Sequence, residues 1–103
     1  MQDDLLAIQL RALGHPVRLS ILRLLAQKQS DCCCASVVDC LPLAQSTVSQ
    51  HIKVLLDAGL IERRSKGTRN FYVLSTDRFA AVSAAFSGLA DGLTGLSHIQ
   101  TTE

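Results

Sequence analysis

Apolar residues recur at helical spacing from the start of the chain. Leu6, Leu10 and Leu13 share one face of a predicted helix from Asp3 to Leu13, with Asp3 and Asp4 placed to complement the helix dipole. Gly14 stops that helix. Pro16 opens a second one at its first position, where a missing N–H costs nothing. Val17, Ile21, Leu24 and Leu25 form its buried stripe, and Arg18 and Arg23 lie off it. A cysteine-rich window follows. Within it Ser36 to Leu41 reads as a short helix with Val37 and Leu41 inward, ended by Pro42. In "AQSTVSQHIKVLLDAG" the residues Val48, Ile52, Leu55 and Leu56 make an apolar face. Ser46 is the expected N-terminal cap and Gly59 the C-terminal stop.

The pattern then changes. "LIERRSKGTRNFYVLS" contains two β-prone runs, Leu60 to Arg64 and Asn70 to Leu74, with Gly67 supplying the turn of a hairpin. A last helix is expected from Thr76 to about Leu93, capped by Ser75 or Thr76. Phe79, Val82, Phe86, Leu89 and Leu93 form its stripe, and Ala81, Ala84, Ala85 and Gly88 form a small opposite face. The tail "SHIQTTE" is expected to fray. The order is helix, helix, short helix, helix, hairpin, helix: a mainly α chain with a small β-hairpin.

At 103 residues, with 48% apolar and only 4% aromatic, the chain fits one domain spanning residues 1–103 whose core is built from aliphatic side chains. So short a chain can bury more surface by dimerising. No apolar run approaches the ~18 residues that span a bilayer. The start "MQDDLL" is acidic where a secretory signal would be basic, so a cytoplasmic protein with no membrane partner is expected. In that reducing compartment clustered cysteines read as metal-binding, redox-sensing or buried, not as disulfides.

Net charge is +1, but it is unevenly spread. From Gln45 to Arg69, Lys53, Arg63, Arg64, Lys66 and Arg69 oppose only Asp57 and Glu62, a local +3 that leaves −2 for the rest. A local basic surface on a neutral body suits a DNA-binding module. Two short helices joined by a tight turn make a helix-turn-helix candidate. The outer face of the second carries Thr47, Ser49, Gln50 and Lys53, which suit base edges and phosphates; an ordinary solvated helix face would look the same. The hairpin favours the first reading. A basic hairpin, bearing Arg63, Arg64, Lys66 and Arg69, directly after a helix-turn-helix is a winged helix, whose wing can lie along phosphates.

"ALGHPVRLSILRLL" and "LPLAQSTVSQHIKVLLDAGLIERRSKGTRNFYVLS" closely resemble the ArsR/SmtB family of metal-responsive repressors, from about Leu5 to Phe86. The resemblance implies a winged helix-turn-helix homodimer joined through its first and last helices. Such a dimer sits on double-stranded, pseudo-palindromic operator DNA, needs no cofactor to bind it, and releases it when an inducer binds. It carries DNA contacts onto Ser46, Thr47, Ser49, Gln50 and Lys53, with wing contacts from Lys66 and Arg69. His51 also matches the family pattern; its neighbours Val48, Ile52 and Leu55 point to packing or a phosphate contact.

The family's inducer sites differ in how well they fit this chain. The site on the last helix needs Asp, His and Glu pairs; here that helix offers Asp77 and Asp91 without helical histidines at matching spacing, and His98 and Glu103 stand near its end. The N-terminus carries no cysteine or histidine to complete another type. The remaining site lies at the start of the short helix, where arsenic-sensing members carry Cys-x-Cys and a third thiolate. Cys32, Cys33 and Cys34 are a soft, all-sulfur set. Zinc generally takes a fourth ligand, whereas trivalent arsenic or antimony takes three sulfurs in a pyramid. An As(III), organoarsenical(III) or Sb(III) inducer is therefore expected at Cys32, Cys33 and Cys34.

Cys40 is excluded on reach, since in a helix it would lie ~10 Å along the axis from Cys33. It reads as a small buried hydrophobe. Aligned through "AQSTVSQH", the family's two cysteines fall on Cys33 and Ala35, while Cys32 and Cys34 keep the spacing one residue earlier. Two or three thiols can therefore serve, and two suffice for a monosubstituted organoarsenical. Other readings stay open: a repressor sensing oxidants or persulfides, a sensor of Zn, Cd, Hg or Pb, or a winged helix used for protein contacts. A thiol enzyme is disfavoured, because no His or acid beside the triplet in sequence can activate a nucleophile.

Overall fold

Four of the five expected helices form within the described residues, the last of them longer than expected. The computed structural model describes residues 3–28 and 41–101. Helix α1 spans Asp3–Leu13 and α2 spans Pro16–Lys28. Gly14 ends α1, its N–H bonding the Arg11 carbonyl at 3.1 Å. All four cysteines and nearly all of the short helix expected from Ser36 to Leu41 lie outside the described residues. Helix α3 then spans Gln45–Asp57.

A single apolar core joins these elements. Leu6 and Ala12 of α1, Ile21, Leu22 and Leu25 of α2, and Val48, Ile52 and Leu55 of α3 are all buried in it. The stripe expected on α1 is rotated. Leu6, Gln9 and Ala12 are its buried residues, while Leu10 and Leu13 are half-buried against the core. Gln9 is buried and its amide has no hydrogen-bond partner among the described residues.

The end of α3 is built by Gly59. Its φ of 77° is a left-handed conformation that favours glycine. Its N–H bonds the Leu56 carbonyl at 2.9 Å, and the Leu60 N–H reaches back to Leu55 at 3.0 Å. This pair of bonds is the Schellman arrangement, which satisfies two carbonyls the helix would otherwise leave open. The start of α3 differs from expectation. The capping position is Ala44, extended at φ −63° and ψ 146°, and among the described residues no side chain caps the helix. Ser46 therefore lies inside the first turn, exposed, and is not the cap. The segment leaving Pro42 is still extended at Ala44, so the helix begins one residue before Ser46 can serve.

Strands β1 (Ile61–Lys66) and β2 (Arg69–Leu74) pair antiparallel, from Ile61 opposite Leu74 to Lys66 opposite Arg69. Gly67 and Thr68 alone make the turn. Gly67 has a φ of 66°, as the two-residue hairpin turns matched to strand twist require. The hairpin is longer than expected at its tip, since Ser65, Lys66 and Arg69 also pair.

Helix α4 spans Thr76–Thr101, well beyond the expected end near Leu93 and through most of the tail expected to fray. Ser75 holds its capping position: its carbonyl accepts from the Phe79 N–H at 3.0 Å. Val82 is buried, and Phe79 and Ala85 pack against the core. Ala85 thus belongs to the inner face, not to the small outer one. Further along, Phe86, Leu89 and Leu93 are 50%, 45% and 63% exposed, so the stripe runs off the domain unpartnered. Among the described residues no helix is long and apolar enough to cross a membrane.

Candidate nucleic-acid interface

Helix α3 presents two opposite faces. Val48, Ile52 and Leu55 anchor one in the core. Ser46, Ser49, Gln50 and Lys53 stand at i, i+3, i+4 and i+7, the spacing of one helical face, and all four are exposed. Thr47 sits beside that face, half-buried. A ridge of two hydroxyls, an amide and an ammonium can donate to and accept from base edges and donate to phosphates. The Lys53 ammonium lies 3.0 Å from Asp57 one turn on, with both side chains largely exposed. Such a surface pair is weak and exchangeable.

The hairpin alternates. Ile61, Arg63 and Ser65 point to one side; Glu62, Arg64 and Lys66 point to the other. On the first side Ile61 enters the core, Arg63 sits opposite Tyr72, and the Ser65 hydroxyl donates to Asn70 at 3.0 Å. The Arg63 guanidinium lies 5.7 Å from the centre of the Tyr72 ring and donates to its phenol oxygen at 3.4 Å. On the second side Arg64 leans on Glu62 at 3.3 Å, while Lys66 is exposed beside the turn. Arg63 and Arg64 therefore serve opposite faces of the ribbon. Arg69 begins β2 across from Lys66.

The sequence left one cluster unread. His15 caps α2: its Nδ1 accepts from the Val17 N–H at 3.1 Å. Its ring centre lies 4.3 Å from that of His51 on α3. Arg18 donates from Nε to His51 Nδ1 at 3.2 Å and from Nη1 to the carbonyls of Arg11 and Ala12 at 3.0 and 3.4 Å. Burial first, then the charges of His15 and Arg18, hold the pKa of His51 below the ordinary 6.5. The cap at His15 has a signal, because it directly precedes a proline at a helix start. The Arg18–His51 contact joins residues 33 apart in sequence and has none.

Among the described residues no group of three or more His, Cys, Asp or Glu is arranged to hold a metal ion. Cys32, Cys33 and Cys34, the expected inducer ligands, lie outside those residues.

Residues 13–64 match the family model described as a helix-turn-helix domain. An uncharacterized HTH-type transcriptional regulator of Methanocaldococcus jannaschii is 44% identical over 68 residues, covering 66% of this chain and 75% of that protein. An arsenical resistance operon repressor of Bacillus subtilis is 37% identical over 67 residues, covering 65% of this chain and 63% of that one. In three dimensions the chain is similar to an ArsR-like transcriptional regulator from Rhodococcus. The TM-score is 0.81 at 22% identity, covering 97% of this chain and 93% of that one, a likeness of fold. It is also similar to the homodimeric winged helix-turn-helix DNA-binding domain of a possible ArsR-family regulator from Mycobacterium bovis. There the TM-score is 0.67 at 31% identity, covering 85% of this chain and 80% of that one. These are DNA-binding regulators, not enzymes. With its helix-turn-helix, its wing and these relatives, the chain belongs to the ArsR/SmtB family of winged-helix transcriptional regulators.

Proposed function

We propose that this regulator is a homodimeric repressor that leaves its operator when a trivalent arsenic or antimony species binds Cys32, Cys33 and Cys34. The observation that carries the DNA-reading part is the opposition of faces on α3. Val48, Ile52 and Leu55 are buried, so Ser46, Ser49, Gln50 and Lys53 are presented outward as a set. Thr47 borders the reading face. Lys66 and Arg69 at the wing tip, with Arg63 and Arg64 on its two sides, supply attraction to phosphates. Dimerisation is supported by the exposed apolar run Phe86, Leu89 and Leu93 on α4, and by the homodimeric relative from Mycobacterium bovis.

The inducer reading rests on donor chemistry. Three adjacent thiols without a neighbouring histidine form a soft set that suits a thiophilic metalloid, and the relative from Bacillus subtilis is an arsenical resistance operon repressor. The triplet precedes the helix-turn-helix directly in sequence. Gathering its sulfurs onto one atom constrains the chain that leads into α3. Inducer binding then lowers DNA affinity, and by reciprocity DNA weakens inducer binding.

The test is a DNA-release assay on the regulator's own promoter fragment, with arsenite, phenylarsenite, antimonite, zinc, cadmium or peroxide added. Release by arsenite, phenylarsenite or antimonite supports the reading, and release only by zinc, cadmium or peroxide overturns it. Replacing Cys32, Cys33 and Cys34 by Ser should leave a protein that binds DNA and ignores the metalloid. Loss of DNA binding in that variant would make the triplet structural.

A further inference from the structure

The core holds α2 and α3 together through Ile21, Leu25, Val48, Ile52 and Leu55. Apolar contacts are non-directional, so they leave a packed helix some freedom to roll. Hydrogen bonds are directional and remove that freedom. Where α1, α2 and α3 meet, such bonds converge on Arg18. Its Nη1 donates to Arg11 and Ala12, two carbonyls in the last turn of α1, where a cation also complements the helix dipole. Its Nε donates to His51 Nδ1 on α3. One side chain thus ties the end of α1 to the middle of the reading helix, next to Gln50.

We infer that Arg18 is a positioning residue, fixing the roll of α3 relative to α1 through His51 and thereby the half-site spacing that the dimer reads. This rests on the dimeric DNA-reading function proposed above. In a dimer joined through α1 and α4, the two-fold axis runs beside those helices. A change in the angle between α1 and α3 is then applied to both readers in opposite senses. Readers that must enter successive major grooves register such a change as a change in preferred spacing.

The tie depends on the protonation of His51. Arg18 Nε is the donor, so His51 Nδ1 must be bare and the proton of the neutral ring must sit on Nε2. The backbone N–H of Val17 imposes the same tautomer on His15. A proton added to His51 Nδ1 abolishes the acceptor. It also places a positive charge against Arg18 from α2 and against His15 from the corner between α1 and α2. Arg18 is the fixed charge that bears on His51 and His15 is the other titratable ring beside it; neither is a carboxylate. From α1, the Arg11 and Ala12 carbonyls meet this junction and are engaged by Arg18.

The test uses full-length protein and palindromic duplexes that it selects from a random DNA pool. Affinity is measured for the selected duplex and for the same duplex with one base pair inserted between its half-sites. The ratio of the two is the spacing discrimination, and it cancels the sequence-independent phosphate attraction that changes with pH. Discrimination should fall about fivefold or more in Arg18→Ala at neutral pH, a loss in keeping with a hydrogen bond from a charged group. It should fall similarly in the wild type as the pH is lowered from about 7.5 to the lowest value at which the protein stays folded, since His51 gains its proton only below the ordinary 6.5. His51→Asn, whose Oδ1 stands in for Nδ1, should keep its discrimination at both pH values. Wild-type discrimination that does not change with pH, or a folded Arg18→Ala with undiminished discrimination, overturns the inference. If Arg18→Ala fails to fold, the pH series on wild type and His51→Asn decides alone. Failure of the wild type to select any duplex overturns the DNA-reading function instead.

Discussion

The guanidinium carbon of Arg78 lies 3.3 Å from where a Cβ on Gly59 would stand. An arginine from the first turn of α4 thus covers the residue that ends α3. The bare α-carbon of Gly59 admits the guanidinium, and its left-handed φ lets the chain turn into the wing. Gly59→Ala should therefore destabilise the fold by about 1–2 kcal/mol, chiefly from the backbone conformation. The Arg78 side chain is flexible enough to yield, so Arg78→Ala added to Gly59→Ala should recover little. Urea unfolding of the single and double variants measures both terms.

Lys53 shares its charge with Asp57 in the free protein. A phosphate that takes Lys53 must displace that carboxylate and also meets its repulsion. Asp57→Asn should tighten DNA binding by roughly threefold at low salt, with little effect on stability. Lys53→Ala should weaken binding and lower the slope of log affinity against log salt by about one. Fluorescence anisotropy over a salt series separates the two.

His51 makes stability depend on pH with a definite sign. Its pKa in the fold lies below 6.5, so between the two values the unfolded chain binds more protons than the folded one. Stability then rises with pH through that window. The full contribution of His51 is present above about pH 6.5 and is lost as pH falls below it. The melting temperature should drop between about pH 7 and about pH 5.5, and drop less in His51→Asn.

The exposed end of the α4 stripe should separate assembly from folding. Leu93 is 63% exposed and Val82 only 5%. Leu93→Asp should yield a folded monomer in sedimentation, with circular dichroism like the wild type. Val82→Asp should unfold the chain, because it buries an unpaired charge in the core.

Much of this architecture was legible from spacing and punctuation. The bounds of α1, the start of α2 at Pro16, the stop at Gly59 and the turn at Gly67 follow from local rules, and the structure obeys them. The misses share a cause, since each was decided by weak or non-local terms. A serine cap is worth about 1 kcal/mol, and that preference did not stop the helix from starting at Gln45, before Ser46. Gly88, Gly92 and Gly95 each cost a helix about 1 kcal/mol without blocking it. No proline follows Pro42, so nothing sterically halts α4 near Leu93. The outward face of α3 was readable because it is the complement of an apolar stripe. Arg18 was not, because its partner lies on another helix.

Only Ala58, Gly59 and Leu60 separate α3 from β1, and the Leu60 N–H is bonded back into the helix. That joint has no slack. The helix and the wing therefore travel as one lever. On the DNA-reading role proposed above, a half-released state with the wing lifted and the helix still seated would strain the joint itself. Letting go of DNA would then be a single event at each half-site, abrupt instead of loosening by degrees.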